Sequence, residues 1–196
     1  MEQGETPQFT NLDRSIASCH SCIQPGNIGK EPVMGTISAE LLLETAKSSI
    51  RSAEYCIFIT LGEKGEANAR LVQPFEPEPD MTIWFGTWSK SRKVREIQRD
   101  NRVTLAFHDR EGTAYVTLLG SAQIERDINK KRKYWREEWI GFIPQGPDGD
   151  DYVLVKFIPF RIELMSFGSG ILPKPYGLKP AVVVRSDDLW VVANNG

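Results

Sequence analysis

The stretch Trp84-Phe85-Gly86-Thr87-Trp88-Ser89-Lys90-Ser91-Arg92-Lys93-Val94 leads from a predicted strand through a hydroxyl-rich loop into a helix that begins near Ser91. The start of a helix presents unpaired backbone N–H groups and a partial positive charge, and both favour an anion. Arg92 and Lys93 in the first turn have the same sign as that partial charge. Their repulsion destabilises the helix by a few tenths of a kcal/mol unless an anion neutralises them. The stretch therefore predicts a small-anion site, which Arg70 on a neighbouring strand could complete with a bidentate contact.

A plain solvated helix face is the alternative for the same residues. Between Lys90 and Arg102 the sequence has six basic and two acidic residues. Charged runs of this kind commonly face solvent without binding a ligand. The residues alone leave both interpretations open.

The segments around this stretch predict a mainly β architecture with flanking helices. Helices are predicted at 39–54, 91–99 and 127–139, and strands at 55–60, 67–73, 81–86, 102–108, 114–124, 152–165, 181–184 and 189–192. Turns separate most of the strands, and no regular alternation of strand and helix is present. This pattern favours an antiparallel barrel over a doubly wound sheet. Pro159 is expected to bend or end the long strand locally.

Length and charge limit the classes of protein that the chain can belong to. It has 196 residues, 24 Lys+Arg, 26 Asp+Glu and a formal net charge of −2, which argues against a nucleic-acid partner. No apolar run approaches the roughly 18 to 20 residues of a membrane span, so we expect no membrane partner and a cytoplasmic location. We predict a poorly structured arm at 1–35, a barrel domain at 36–166 and a C-terminal extension at 167–196 that packs on or near the barrel.

The cysteines do not form a convincing metal site. Cys19 and Cys22 are three residues apart in the predicted arm, and the other candidate ligands are Cys56 and His108 on predicted strands. A structural zinc site needs about four ligands. We predict no metal site.

The chain resembles a known family in a set of residues whose type, order and spacing agree. These residues are Arg70, Thr87, Ser91-Arg92-Lys93 and Asn101-Arg102-Val103. They are similar to the motifs of the pyridoxamine 5′-phosphate oxidase-like, FMN-binding split barrels. The segments at 113–122, 135–139 and 146–151 resemble the general stress protein branch of that family. The resemblance covers roughly residues 38–166.

The resemblance implies an antiparallel split β-barrel of Greek-key type that works as a homodimer with FMN at the subunit interface. Carried onto this sequence, it implies that the FMN phosphate is bound by Ser91, Arg92 and Lys93. Contacts along the flavin would come from Arg70, Leu71 and Val72, and contacts with the ring system from Gly86 and Thr87. Arg70 would also reach toward the phosphate or the ribityl chain. Tyr115 takes the place of a Gln that the oxidase contributes from its other subunit.

The substrate side departs from the oxidase pattern. The oxidase binds its substrate phosphate with a Tyr, an Arg and a Ser, whereas this chain has Tyr134 nearby and Glu138 in the place of the Arg. A carboxylate there would repel a phosphate, so pyridoxamine-phosphate oxidation is not expected. The leading hypothesis is an FMN-dependent oxidoreductase with unidentified substrate and catalytic residues. A flavin-binding stress protein that stores or senses FMN, and a flavin-free interaction module, are the alternatives.

Overall fold

The computed structural model describes residues 37–173, 179–187 and 189–193. The predicted arm at 1–35, with Cys19 and Cys22, lies outside these ranges. The described helices are α1 (Ala39–Ala53), α2 (Arg92–Arg99) and α3 (Ile128–Lys133), with a 3₁₀ helix at Glu137–Gly141. The described strands are β1 (Cys56–Leu61), β2 (Ala67–Val72), β3 (Ile83–Trp88), β4 (Arg102–Asp109), β5 (Ala114–Glu125), β6 (Tyr152–Ser166), β7 (Ala181–Ser186) and β8 (Leu189–Val192).

All strand pairs are antiparallel, so the predicted antiparallel β architecture is confirmed. The strands follow the order β2-β1-β4-β5-β6-β7-β8, and β3 pairs separately with β6. The first half of β6 lies between β3 and β5, and its second half lies between β5 and β7. Strand β6 is therefore the element that joins β3, which leads into α2, to the rest of the sheet.

Helix α1 forms where its sequence pattern predicts it. The Ser38 side chain accepts a hydrogen bond from the Leu41 N–H at 3.2 Å and so caps the first turn. Leu42, Ala46 and Ile50 recur every four residues and are fully or almost fully buried. They pack α1 into the main core beneath the sheet.

The long strand β6 continues through Pro159 with an irregular register. Its pairing with β5 shifts between Leu119 and Gly120, opposite Pro159. A Cβ on Gly120 would meet the Phe157 ring at 2.7 Å, so the close approach of the two strands requires glycine. The proline therefore bends the ladder, as expected, without ending the strand.

A second, largely aromatic cluster lies apart from the main core. Its members are Phe75, Trp84, Tyr134, Trp135, Trp139, Ile143, Tyr152 and Leu154. We call it the aromatic cluster. Trp84 and Tyr134 stack with ring centroids 5.2 Å apart, and Trp139 contacts Phe75, Trp135 and Tyr152 edge-on or tilted. The aromatic cluster attaches the segment after α3 to β3 and β6.

The predicted helix at 127–139 is wrong in its second half. Asp127 caps α3, but the α-helix ends at Lys133 and a 3₁₀ turn follows at Glu137–Gly141. Tyr134, Trp135 and Arg136 all pack against the protein. A surface helix cannot turn three consecutive side chains toward the same core, so tertiary packing overrides the helix propensity of this charged stretch.

Strand β3 begins two residues later than the predicted 81–86 strand. The Asp80 carboxylate accepts hydrogen bonds from the backbone N–H and the hydroxyl of Thr82, both at 2.9 Å. Met81, between them, has a φ of 70°. This Asx turn keeps Met81 and Thr82 out of the ladder.

Within the described ranges, no helix combines the length and the apolarity that crossing a membrane requires.

Candidate functional site

The junction of β3 and α2 brings three predicted site residues together. Thr87 points to the same side of β3 as the core residue Phe85 and is mostly buried. Ser91 is the N-cap of α2, but its hydroxyl makes no capping hydrogen bond and lies 3.4 Å from the Thr87 hydroxyl. The first turn of α2 contains no acidic residue. The helix start therefore keeps its partial positive charge for a ligand, and the Ser91 hydroxyl, in a long hydrogen bond with Thr87, is not used for capping.

Lys93 completes this group from the first turn of α2. Its Nζ donates a hydrogen bond to the Thr87 hydroxyl at 2.8 Å. Burial lowers the pKa of Lys93, and the positive charge of Arg70 lowers it further, while Glu96 acts in the opposite direction. A bound anion would raise that pKa again, because it would offset both the desolvation and the repulsion. We call Thr87, Ser91 and Lys93 the phosphate cluster.

Glu96 anchors Arg70 beside this cluster. The Arg70 Nη2 lies 2.6 Å from Glu96 Oε2, and Arg70 Nη1 donates to the Thr60 hydroxyl at 2.5 Å. Thr60 and Asn68 also donate to the Glu96 carboxylate, at 2.5 and 2.7 Å. Burial alone would raise the pKa of Glu96, but the hydrogen bonds from Thr60 and Arg70 and the charges of Arg70 and Arg92 outweigh it and lower the pKa. Glu96 is therefore ionised and holds Arg70 in place.

The sequence interpretation missed Glu96, although a signal for it exists. Glu96 is the only acidic residue in α2 and lies three positions after Lys93, on the same side of the helix. It is 5 % exposed, and such buried carboxylates are almost always paired. That pattern indicates a buried cationic partner, but it does not identify Arg70.

The charges at this site fit a phosphate monoester. Arg70, Arg92 and Lys93 are basic, and Glu96, which also lies 3.4 Å from Arg92 Nε, is acidic. The group therefore has an excess of two positive charges. A phosphate monoester carries about −1.5 to −2 at neutral pH. The donor set of the site, with lysine, arginine, hydroxyl and backbone N–H groups, suits its oxygens.

Leu71 and Val72, which follow Arg70 on β2, and Gly86, which precedes Thr87 on β3, differ in orientation. Leu71 is 65 % exposed, whereas Val72 packs against the main core. A ligand running along β2 would thus meet the Leu71 side chain but only the backbone of Val72. At Gly86 an added Cβ would overlap the Trp139 ring and approach Tyr152 Cε2 at 2.9 Å. Trp139 therefore covers this side of Gly86.

The close contact at Gly86 leads to a stability prediction. Gly86→Ala should lower the free energy of unfolding by about 1–3 kcal/mol, because the new methyl group displaces the Trp139 ring from the aromatic cluster. Gly141→Ala is the matched control, since a Cβ there has nothing within 4 Å. Urea denaturation of both variants measures the effect. Equal stabilities for the two variants would show that the ring moves without cost.

Tyr115 lies far from the phosphate cluster within one chain. Thr87 pairs with Val153 on β6, whereas Tyr115 pairs with Met165, twelve residues further along the same strand. Across the sheet, β4 and β1 separate Tyr115 on β5 from Arg70 on β2, which is roughly 15 Å at about 4.8 Å per strand. The structure brings the residues assigned to the phosphate together and leaves Tyr115 apart from them. The flavin contacts of all nine predicted site residues stay predictions.

No group of three or more His, Cys, Asp or Glu side chains that could hold a metal ion is present in the part of the chain that the structure describes. Cys56 is buried, and burial raises the pKa of its thiol to about 12. Its sulfur is thus protonated and inert at neutral pH. The Cys19 and Cys22 pair lies outside the described residues.

Comparison with known proteins identifies the family. The model of the pyridoxamine 5′-phosphate oxidase like family matches residues 43–163. General stress protein 26 of Bacillus subtilis (strain 168) is 30% identical over 112 residues, which are 54% of this chain and 76% of that protein.

Solved structures show the same fold at lower identity. A protein of Clostridium acetobutylicum related to general stress protein 26 has a TM-score of 0.58 and 23% identity, with 67% of this chain and 92% of that chain covered. A pyridoxamine 5′-phosphate oxidase-related, FMN binding protein of Nostoc punctiforme PCC 73102 has a TM-score of 0.57 and 15% identity, with 82% and 98% covered. The resemblance found in the sequence is confirmed: the chain belongs to the pyridoxamine 5′-phosphate oxidase-like family and is a homologue of general stress protein 26.

Proposed function

We propose that this chain binds FMN and acts as an FMN-dependent oxidoreductase. The observation that carries the proposal is the phosphate cluster, where Lys93, Thr87 and Ser91 meet at the start of a helix whose first turn has no acid. The excess of positive charge around it matches one phosphate monoester. The name of the Nostoc relative, which describes that protein as FMN binding, supports the same ligand.

The residues of the cluster have distinct parts in this proposal. Lys93, Arg92, the Ser91 hydroxyl and the first N–H groups of α2 hold the phosphate. Arg70, fixed by its 2.6 Å ion pair with Glu96, presents a rigid guanidinium beside the flavin. Bound phosphate keeps Lys93 protonated, because it offsets the burial that lowers its pKa.

The chemistry of the reaction belongs to the flavin, which supplies electron or hydride transfer when bound. Around the site, Lys93 and Thr87 are hydrogen-bonded to each other, and Arg70 and Glu96 form an ion pair. We therefore assign binding and orientation to these residues, and we assign none of them a proton-transfer step.

Two absorbance measurements test the proposal. Purified protein supplied with FMN and freed of excess ligand should show the flavin absorbance bands, and NADH or NADPH should bleach them. Protein that stays colourless would overturn flavin binding. Protein that retains FMN but is bleached by neither donor would favour the storage or sensing alternative over the oxidoreductase.

We also propose that the chain forms a homodimer through the outer face of the sheet. Apolar side chains on this face are partly or largely exposed, among them Ile57, Leu71, Tyr115 and Phe160. The cross-strand register places Leu71 beside Ile57, and the 220 Å³ cavity at Phe160 is lined by residues of β1, β4, β5 and β6. An apolar patch of this kind marks an interaction surface. A second copy here would also supply the Tyr115 that one chain holds away from its own phosphate cluster.

The dimer proposal predicts that Phe160→Glu separates the subunits. Burying a carboxylate in an apolar interface is unfavourable by several kcal/mol, so the dissociation constant should rise by about 100-fold or more. Phe142→Glu is the control, because Phe142 is 84 % exposed and follows the 3₁₀ helix rather than lying on the sheet. Sedimentation velocity should give a dimer for the unmodified protein and for Phe142→Glu, and a monomer for Phe160→Glu. A monomeric unmodified protein, or a dimeric Phe160→Glu variant, would contradict the proposal.

A further inference from the structure

A polar cavity of about 410 Å³ lies beside the phosphate cluster. One wall is formed by α2 and the other by the turn and strand that follow β1, from Gly62 to Asn68. Arg92, which the predicted phosphate site uses, also lines this cavity. The volume falls within the usual range of small-molecule sites. We call it the arginine cavity.

Three arginines face the arginine cavity from one side of α2. Arg92, Arg95 and Arg99 are spaced by three and four residues, which places them on the same helix face. Arg99 donates to the Leu61 carbonyl at 2.6 Å, and Arg95 donates to the Lys90 carbonyl at 3.1 Å. Within the described ranges, no carboxylate forms an ion pair with Arg95. The Arg95 guanidinium is therefore available to bind an anion.

The lining also contains three carboxylates, which do not cancel this charge. Glu96 is already paired with Arg70, outside the cavity lining, at 2.6 Å. Glu66 accepts a hydrogen bond from the Lys64 backbone N–H at 2.9 Å, and Glu63, whose side chain is 90 % exposed at the rim, forms a 3.9 Å ion pair with Arg99. Four basic and three acidic side chains thus leave the lining with an excess of one positive charge beside the phosphate site.

This mixture of arginine and carboxylate suits a nucleoside monophosphate. Guanidinium groups bind phosphate oxygens, and a carboxylate such as Glu66 accepts hydrogen bonds from ribose hydroxyls, as acidic residues do in dinucleotide sites. No aromatic side chain lines the cavity among the described residues, so recognition would rest on phosphate and ribose rather than on the base.

We propose that the arginine cavity receives the adenylate half of FAD, joined to the flavin phosphate that the phosphate cluster holds. The two phosphates of FAD are covalently joined, so the sites that bind them must be adjacent. Arg92 meets this requirement because it belongs to the predicted phosphate site and also lines the arginine cavity. The inference rests on the proposed flavin site and extends it: the chain takes FAD as well as FMN, with Arg95 binding the adenylate phosphate.

Calorimetric titration of the full chain with FMN and with FAD tests this inference. The unmodified protein should bind FAD at least as tightly as FMN. Arg95→Gln should weaken FAD binding by about tenfold or more and FMN binding by less than about twofold, because only FAD loses a charged hydrogen bond. Lys90→Gln is the matched control: it removes one positive charge from the same segment without touching the cavity lining, and it should leave the ratio of the two affinities unchanged.

Three outcomes would overturn the inference. FAD binding more than about tenfold weaker than FMN binding would show that the adenylate is excluded. Equal weakening of FMN and FAD in Arg95→Gln would show a general charge effect. Free AMP that binds the FMN-loaded protein and is lost in Arg95→Gln, without a matching effect on FAD, would assign the cavity to a separate nucleotide. If the protein binds neither flavin, the proposed function itself is wrong. The FMN titration alone distinguishes that result from a failure of the FAD inference.

Discussion

Replacing Arg92 and Lys93 together by alanine should weaken FMN binding by about 100-fold or more and riboflavin binding by less than about tenfold. Each charged hydrogen-bonding partner of a phosphate contributes about 1.5–3 kcal/mol, and 1.4 kcal/mol corresponds to a factor of ten. Riboflavin lacks the phosphate, so its affinity changes only through indirect effects of the two substitutions. Lys93 has the larger share, because its Nζ is fixed by Thr87 at 2.8 Å, whereas the Arg92 side chain is 58 % exposed.

Fluorescence titration of the two flavins measures this difference. Lys90→Ala combined with Arg110→Ala is the control, since it removes the same formal charge from exposed positions. The control should bind both flavins nearly as the unmodified protein does. An equal loss of FMN and riboflavin binding in the Arg92 and Lys93 variant would place the phosphate elsewhere.

Glu96→Ala should lower the free energy of unfolding by about 3–5 kcal/mol, because it leaves the Arg70 guanidinium buried without its counter-charge. Thr60 and Asn68 lose their acceptor in the same variant. Asp148→Ala, which removes a surface ion pair with Arg132, should change stability by less than about 1 kcal/mol. Thermal or urea denaturation compares the two variants. A loss at Glu96 no larger than the loss at Asp148 would contradict the structural role of the Arg70 and Glu96 pair.

The same pair predicts how stability depends on pH. The pKa of Glu96 lies below its usual 4.5 in the folded chain, so its contribution is fully present above that pH. The contribution is lost as pH falls through the lowered folded value, because the unfolded state then binds the proton more readily. Glu96→Gln should remove this component of the acid-induced loss. An identical acid profile for Glu96→Gln and the unmodified chain would show that Glu96 has no lowered pKa.

Local patterns in the sequence predict most of the fold. Ser38 and the spacing of Leu42, Ala46 and Ile50 predict α1, and aromatic and β-branched runs separated by turns predict the strands. The errors occur where distant contacts override local preference. Nothing within 127–139 reveals that Tyr134 stacks on Trp84, fifty residues earlier in the chain.

The candidate site shows the same division. Thr87, Ser91 and Lys93 lie within seven residues, so a sequence motif could indicate that they meet. The partner of Arg70 is Glu96, 26 residues away, and its identity depends on how α2 packs on β1 and β2. The distance between Tyr115 and Thr87 follows from the register of β6 with two other strands. The spacing of residues along the chain predicts neither the contact between Arg70 and Glu96 nor the distance between Tyr115 and Thr87.

A crystal structure of the chain grown with FMN would show where the flavin phosphate binds. We predict one FMN per chain, with its phosphate oxygens within hydrogen-bond distance of Lys93 Nζ, Ser91 Oγ and the first backbone N–H groups of α2. A phosphate bound away from the start of α2, or no FMN at saturating concentration, would contradict FMN binding at the phosphate cluster.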